Sequence, residues 1–248
     1  MLETNASWSA LTTDIITCRA CPRLVAWREQ VAREKRRAYR DWDYWGRPVS
    51  GFGDPAARLL VVGLAPGAHG SNRTGRMFTG DSSGDTLYTA LHRAGFASQP
   101  ISRHRDDGLT LTHAFITAVG RCAPPDNRPT SEELAACRPF LARELTLLRQ
   151  IQVIVALGQI AFEGCLRLLR DHGYQPSQQA EAESNSRLPS TVYRLPKFGH
   201  GRHYVFTAPA SRRHLLTSYH PSRQNTQTGR LTQTMLDEVF ALAKSLLE

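Results

Sequence analysis

The sequence has few of the features that mark membrane or secreted proteins. It contains no run of 18 or more apolar residues, so no membrane-spanning helix is expected. Its first residues, Met1 to Asn5, lack the basic and then apolar stretches of a secretory signal, which predicts a cytoplasmic location. Only five cysteines are present, and in a reducing compartment they are expected to bind metal or lie buried rather than form disulfides.

Acidic residues are also few, with 22 Asp and Glu against 31 Lys and Arg, and the formal charge is +9. A surplus of this sign attracts polyanions, and nucleic acid is the commonest polyanion in a cytoplasm. Charge that only keeps the protein in solution is the alternative. The 248 residues show no internal repeat and no heptad pattern, which favours one monomeric domain over 1–248 with a polar surface insertion at about 175–190.

Short apolar segments rich in Val, Ile and Leu alternate with helical patterns, and this predicts an α/β fold with a mostly parallel sheet. Strands are predicted at 58–63, 114–119 and 152–157, and more weakly at 204–207 and 215–219. Helices are predicted within 6–36 with a break at 18–21, at 82–94, at 130–148, after 157, and at 231–247. Ligands of such sheets lie beyond the carboxyl ends of the strands, which directs attention to the loops after Gly63 and Tyr219.

Four of the cysteines are spaced as ligands could be. Cys18 and Cys21 form a C-x2-C half-site, Cys122 follows a predicted strand, and Cys137 lies in a predicted helix. If they converge, tetrahedral zinc and a 4Fe-4S cluster both fit, and spacing alone does not choose between them. Burial of one or two as small apolar side chains is the alternative, and it fits Cys165 best.

A phosphate-binding loop is the first alternative for the segment after Gly63. Gly63, Gly67 and Gly70 follow a predicted strand and superficially match a dinucleotide-binding pattern. Pro66 interrupts the turn, and the lysine of a Walker-A loop is absent. We therefore expect no nucleotide cofactor.

Three motifs, in chain order, resemble those of the uracil-DNA glycosylase superfamily. They are Gly63-Leu-Ala-Pro-Gly67, Arg73-Thr-Gly-Arg-Met-Phe-Thr-Gly-Asp81 and His220-Pro-Ser222. The fragment Cys18-Arg-Ala-Cys-Pro-Arg-Leu24 and the continuation of the last motif to Thr232 resemble family 5, also called type B. Each motif is short, but the ordered set spans nearly the whole chain.

The resemblance implies a central four-stranded parallel sheet flanked by helices. It also implies a structural 4Fe-4S cluster in the first 50 or so residues and the facing helix, held by Cys18, Cys21, Cys122 and Cys137. The implied function is base-excision repair: a nucleotide carrying uracil or another damaged base is flipped out of DNA, and its N-glycosidic bond is hydrolysed to leave an abasic site. Such an enzyme is expected to be associated with the nucleoid.

The resemblance also assigns roles to individual residues. Phe78 would stack on the flipped base, although a core aromatic is the alternative. His220 would donate to uracil O2 and stabilise the leaving anion. The substrate-binding loop of Gly63, Ala65, Pro66 and Gly67 carries no carboxylate, which shifts the catalytic role to Asp81. Asp81 would orient or deprotonate water, or stabilise the sugar cation. Capping of the helix that begins near Ser82 is the alternative, and the two roles are compatible.

Base recognition is expected to be loose. Relatives with strict uracil selectivity carry an asparagine in the strand where this chain has Ala118, and Asn127 in the following loop would supply the contact instead. Tolerance of ethenocytosine, hydroxymethyluracil or hypoxanthine is therefore expected.

Contacts with DNA are predicted for several basic and polar residues. Phosphate donors are expected at Arg73, Arg76, Arg223 and Arg230 and in the basic segment 33–37, for which a solvated face is the alternative. Arg223, Gln224 and Asn225 would fill the space left by the flipped base. Two rival functions are a non-catalytic nucleic-acid-binding module with a structural metal and a sister glycosylase with strict uracil preference.

Overall fold

The computed structural model of the protein describes residues 7–177, 196–209 and 211–248. The polar insertion predicted at 175–190 lies mostly outside these ranges. In the described part, no helix has the length and apolar character needed to cross a membrane.

Strands and helices alternate through most of the chain, as the sequence predicts. The helices are α1 Trp8–Thr17, α2 Pro22–Glu34, α3 Ser71–Thr74, α4 Ser82–Arg93, α5 Ser131–Leu147, α6 Gln159–Asp171, α7 Arg223–Gln227 and α8 Gln233–Ser245. The strands are β1 Phe52–Gly53, β2 Leu59–Gly63, β3 Ala114–Ala118, β4 Val153–Leu157, β5 Gln175–Pro176, β6 His203–Ala208 and β7 Ser211–Ser218.

One sheet contains all seven of these strands, in the order β1-β3-β2-β4-β7-β6-β5. The four strands β3, β2, β4 and β7 are parallel, and helices flank them. The outer strands β1, β6 and β5 pair antiparallel. The predicted α/β fold with a central four-stranded parallel sheet is confirmed. Three antiparallel strands extend this sheet to seven, and of these the sequence indicated only β6.

The central strands are buried on both faces. Every residue of β2 is buried, and its side chains divide between two apolar cores. Leu59 and Val61 belong to the core that contains α4 and α8, whereas Leu60 and Val62 belong to the core that contains α5 and α6. Because strand side chains alternate between faces, a continuously apolar strand is required to fill both cores.

Local signals fix where the helices begin. Pro22 occupies the first turn of α2, where its missing N–H costs nothing, and this restarts the helix after the break at 18–21. Thr130 and Glu133 form a reciprocal capping box at the start of α5. The predicted helix breaks and starts at these two places are confirmed.

Strand β7 begins earlier than the sequence suggests. Arg212, Arg213 and His214 are polar, and the strand becomes fully buried only from Leu215 onward. The polar half pairs with β6 on one side, and β4 joins on the other side only at His214. Backbone pairing, rather than a buried face, therefore holds the first half of this strand.

Candidate active site

The loop that follows β2 packs directly against the Phe78 ring. A Cβ placed on Gly63 would lie 2.6 Å from Phe78 Cζ, so only glycine leaves room for the ring at the end of the strand. Phe78 itself has a φ of 51°, a left-handed backbone that is uncommon for a bulky residue. Gly84 in the first turn of α4 fits beneath it, since a Cβ there would overlap the Phe78 carbonyl oxygen. The strained residue is thus held by its surroundings.

Phe78 and His220 stack on one another. Their ring centroids are 5.8 Å apart and their planes differ by 28°. Phe78 lies beyond the carboxyl end of β2, and His220 lies two residues beyond the end of β7. The structure therefore joins the second and third motifs at the predicted edge of the sheet.

His220 is held as a neutral imidazole. Burial lowers the pKa of His220 to about 4, because among the described residues no group compensates for the lost hydration of the imidazolium ion. The backbone next to the ring is fixed by Asn225, whose side-chain nitrogen donates to the His220 carbonyl oxygen at 2.8 Å. Gly158 lies behind it: a Cβ there would be 3.3 Å from His220 Cβ.

Asp81 lies at the start of α4 and faces the same loop. Its Oδ1 accepts the Gly84 N–H at 3.0 Å, so it caps the helix. Its Oδ2 lies against the loop, since a Cβ on Gly67 would be 2.9 Å away and one on Gly70 would overlap it. Burial raises the pKa of the Asp81 carboxyl, while the Gly84 N–H opposes the shift. Asp81 therefore caps α4, and a catalytic role for its second oxygen stays a prediction.

A cavity of about 510 Å³ adjoins His220 on the side of α6 and β7. Phe198, Tyr219 and Arg230 line it, and the Arg230 guanidinium lies 4.6 Å from the centroid of the Tyr219 ring. Sequence reasoning missed Phe198 and Tyr219. Tyr219 immediately precedes the His-Pro-Ser motif and was recognisable from that position, whereas Phe198 belongs to no periodic segment.

The residues predicted to recognise the base lie in different settings. Ala118 is buried at the end of β3 and pairs in register with Gly63. Ala65 and Pro66 follow Gly63 in the loop. Asn127 is exposed and has a φ of 56°, and its described hydrogen bond is from its backbone N–H to the Pro124 carbonyl. Its contact with a base stays a prediction.

Arg73 and Arg76 are both buried in the structure. Arg76 is 4 % exposed and is paired with Asp107, with Nη2–Oδ1 at 2.7 Å. Arg73 is 3 % exposed and packs against the Tyr39 and Trp42 rings, 3.9 and 4.0 Å from their centroids. Both side chains have partners inside the protein, and a phosphate contact by either arginine stays a prediction.

Other predicted DNA contacts are at the surface. Arg223, Gln224 and Arg230 are exposed, and Asn225 is half-buried beneath them. Arg33, Arg36 and Arg37 are exposed around the end of α2. These positions are compatible with phosphate contacts and equally with a solvated face.

The four predicted cysteine ligands lie in one neighbourhood. Cys122 and Cys137 are buried, and burial raises the pKa of the Cys122 thiol to about 11, with further contributions from Cys137 and Cys18. The pKa of the Cys21 thiol is also raised, first by burial and then by neighbours that include Cys137 and Cys18. Among the described residues, however, no three His, Cys, Asp or Glu side chains are close enough to hold a metal. Metal binding here would therefore require side-chain movement.

A buried arginine accompanies these thiols. Arg28 is 2 % exposed, its Nη1 lies 2.8 Å from Cys122 Sγ, and its Nη2 donates to the Cys18 carbonyl at 3.2 Å. Its Nε is buried without a described partner. A buried cation beside thiols suits thiolates, which are the form that binds metal. The charge around these sulfur atoms therefore suits a bound metal or cluster. The distances between the sulfur atoms do not, since no three such side chains of the described residues are close enough to share a metal.

A second buried charge pair links the end of β3 to α5. Arg121 and Glu144 are each about 1 % exposed and form a two-pronged ion pair with distances of 2.9 and 2.6 Å. Thr117 of β3 donates to the same carboxylate at 2.6 Å. Through Thr117, which precedes Ala118 in β3, this cluster links the strand to Glu144 of α5. Sequence reasoning missed this pair, since neither residue belongs to a recognised motif.

The arrangement is typical of an α/β enzyme: an aromatic ring and a neutral imidazole stack beyond the ends of parallel strands, and a buried carboxylate caps the helix α4. The family description "Uracil DNA glycosylase superfamily" matches residues 50–244. The chain belongs to this superfamily.

Its similar relatives are described as type-5 uracil-DNA glycosylases. The protein from Thermus thermophilus is 52% identical over 237 residues, covering 96% of this chain and 97% of that protein. The one from Mycobacterium bovis is 52% identical over 233 residues, covering 94% and 79% respectively. A type-4 uracil-DNA glycosylase of Pyrobaculum aerophilum is 35% identical and covers 51% of this chain and 57% of that protein. The recognised similarity to family 5 is confirmed.

Proposed function

We propose that this protein is a DNA-repair glycosylase that removes uracil, and related damaged bases, by hydrolysing the N-glycosidic bond. The stack of Phe78 and His220 beside Asp81 carries the proposal. A base inside a duplex is out of reach of these side chains, so the nucleotide must be flipped into the pocket. The proposed substrate is DNA, without a nucleotide cofactor.

Each of the three residues has a distinct task. Phe78 offers an aromatic face next to a wall kept open by Gly63. As the bond to the sugar breaks, the departing uracil becomes an anion, and a neutral His220 donates an N–H to its O2 without first losing a proton. A developing cation on the sugar is stabilised by the Asp81 carboxylate, whose Oδ2 faces the loop while Oδ1 caps α4.

The water that attacks the sugar is oriented by the same carboxylate. An ionised Asp81 accepts a hydrogen bond from water, and it takes up the proton when the new bond to C1′ forms. Burial raises the pKa of Asp81, which makes it a better base than an exposed aspartate. Activity should therefore fall as pH decreases through the Asp81 pKa.

The decisive experiment uses duplex oligonucleotides with a single uracil, followed by alkaline cleavage of abasic sites. Wild type should produce strand scission in the presence of a chelator, and Asp81→Ala and His220→Ala should lose it. Arg93→Met, at an exposed residue that pairs with Asp237, is the matched control and should remain active. Binding without scission by wild type would instead favour the non-catalytic binding module.

A 4Fe-4S cluster is proposed on Cys18, Cys21, Cys122 and Cys137. Such a cluster would join α2 to α5 and to the loop after β3, and its role is structural. Purification without oxygen should give a brown protein whose visible absorption is lost on replacing any of the four by alanine. Cys165→Ala is the internal control, since that thiol is fully buried in the apolar core. Retention of the absorption in the four variants would exclude this ligand set.

The proposed substrate, DNA, also suggests which surface residues bind it. Exposed Arg223 and Arg230 are proposed to contact phosphates, with Gln224 and Asn225 entering the space that the base vacates. Replacing both arginines by glutamine should weaken DNA binding and flatten its dependence on salt. The protein is proposed to act as a monomer, and sedimentation of the DNA complex can test this. Its proposed location is the nucleoid in the cytoplasm.

A further inference from the structure

Arg73 has an unusual environment for a charged residue. Its guanidinium packs against the rings of Tyr39 and Trp42, whose planes differ by 79°, and it is 3 % exposed. Its Nη1 has no hydrogen-bond partner among the described residues. Burying a charge is costly unless other contacts compensate, so the two backbone contacts that Arg73 makes must matter.

Those two contacts join separate pieces of the active site. Arg73 Nε donates to the His69 carbonyl at 2.8 Å, and His69 belongs to the loop that follows β2. Arg73 Nη2 donates to the Gly80 carbonyl at 2.7 Å, and Gly80 immediately precedes Asp81. One planar side chain therefore fastens the loop to the residue that carries the carboxylate.

The side chains around these contacts leave no room for a residue larger than glycine at positions 70 and 80. Gly80 has a φ of 82°, and a Cβ on it would lie 2.5 Å from Arg73 Nη2. Gly70 of the loop touches the Asp81 carboxylate directly. A shift of the loop relative to Gly80 would therefore also move the Asp81 oxygen that lies against the loop.

We propose that Arg73 is a positioning residue of the active site, which fixes the loop after β2 against the Gly80–Asp81 backbone and directs its positive charge toward the Asp81 carboxylate. This inference rests on the role proposed for Asp81. A planar guanidinium, whose donors have a fixed geometry, suits a clamp between two carbonyl groups better than a lysine ammonium does.

Several charged groups act on this pair. Besides burial, Asp85 of α4 and Arg73 affect the pKa of Asp81. Burial lowers the pKa of Arg73, and the Tyr39 and Tyr44 hydroxyls oppose that shift. The positive charge of Arg73 opposes the rise that burial and Asp85 cause in the pKa of Asp81. Removing that charge alone should therefore raise the Asp81 pKa.

The test compares Arg73→Met and Arg73→Lys with wild type and with Arg93→Met in single-turnover assays across pH. Arg73→Met should lower kcat by about 10- to 100-fold, because misplacement of a reacting group by about 1 Å has effects of this size. It should also move the acidic limb of the pH profile upward by roughly one pH unit. Arg73→Lys keeps the charge, so kcat should fall while the acidic limb stays near its wild-type position.

DNA affinity separates positioning from phosphate contact. The Kd for an uncleavable duplex, and its slope with salt, should match wild type in both variants. An acidic limb that stays in place in a folded Arg73→Met would overturn the proposal, and so would a weaker salt slope. If Arg73→Met does not fold, wild-type kcat in Arg73→Lys would overturn it.

Asp81→Asn distinguishes failure of this inference from failure of the proposed function. If that variant retains wild-type activity, the role of Asp81 is wrong. If Asp81→Asn is inactive and the two Arg73 variants behave as wild type, only the positioning role of Arg73 is wrong.

Discussion

The Phe78 ring and the His220 imidazole stack at a centroid distance of 5.8 Å, although one follows β2 and the other follows β7. This contact brings an aromatic face and a neutral hydrogen-bond donor to the same edge of the sheet. Both rings depend on small neighbours, Gly63 beside Phe78 and Gly158 beside His220.

Substitution of Gly63 should damage activity more than stability. In Gly63→Ala, the new methyl group would lie 2.6 Å from Phe78 Cζ, so the ring must turn away from His220. We expect kcat to fall by about 10- to 100-fold, as for other small displacements of reacting groups. Single-turnover kinetics measure this effect.

Val62→Ala is the control for that substitution. Val62 precedes Gly63 but packs in the other core, so its truncation should reduce thermal stability and leave kcat near wild type. Equal losses of kcat in the two variants would argue against the role given to the Phe78 ring.

His220 should titrate far below an ordinary histidine. Burial lowers its pKa to about 4, so the imidazole is neutral through the range where exposed histidines gain a proton, about pH 6.5. NMR of ring-labelled protein, with His220→Asn to assign the signal, should place the midpoint near 4. A midpoint near 6.5 would mean that the imidazolium form takes part.

The same lowered pKa links stability to pH. Between about pH 6.5 and 4 the unfolded chain binds a proton at His220 that the folded chain does not, so the free energy of unfolding decreases as the pH falls through this window. In His220→Asn, denaturant titrations should show a shallower pH dependence there. An unchanged slope would contradict the burial of a neutral ring.

Ala118→Asn should narrow the range of damaged bases. Ala118 pairs with Gly63 at the strand end, and an amide there would select for uracil by hydrogen bonding. We expect kcat/KM to fall more for ethenocytosine and hypoxanthine than for uracil. Because the site is buried, the added volume should cost about 1–3 kcal/mol of stability.

Ala118→Leu supplies a comparison of similar size without the amide. If leucine and asparagine change the substrate range equally, volume rather than hydrogen bonding determines selectivity at this position.

Breaking the buried pair of Arg121 and Glu144 should be costly. Glu144→Ala leaves a buried guanidinium without its carboxylate and should lower the free energy of unfolding by about 3–5 kcal/mol. Urea denaturation measures the change. Glu163→Ala, which removes an exposed pair with Arg167, should change it by under about 1 kcal/mol.

Replacing both partners tests the reason for that cost. The double variant Arg121→Met/Glu144→Leu should recover most of the lost stability, because no unpaired charge remains. A double variant as unstable as Glu144→Ala would point to packing instead of charge.

The parallel centre of the fold was predictable because its strands must be apolar on both faces. The sequence of β2 signals this directly, and Thr130 with Glu133 signals the start of α5. The polar half of β7 was not predictable, since Arg212 and Arg213 are held by backbone pairing that leaves no periodic pattern.

The site was predictable where a motif contains the reacting groups, as for Phe78, Asp81 and His220. Motif position did not tell whether an arginine faces solvent or the interior. Arg73 and Arg76 look alike in sequence, but their burial depends on partners distant in the chain, namely Tyr39 and Asp107. Tertiary contacts of this kind decide function without leaving a local signal.

The order of strands has a consequence for how activity arises during synthesis. His220 follows β7, the last strand in the chain, yet this strand inserts beside β4 near the middle of the sheet. A nascent chain that has completed β2 and α4 already contains Phe78 and Asp81, but it lacks the His220 ring that stacks on Phe78. Long-range pairing of this kind is late and slow in folding. Incomplete or truncated chains should therefore be catalytically silent, and release of bases from DNA should begin only once the whole sheet has closed.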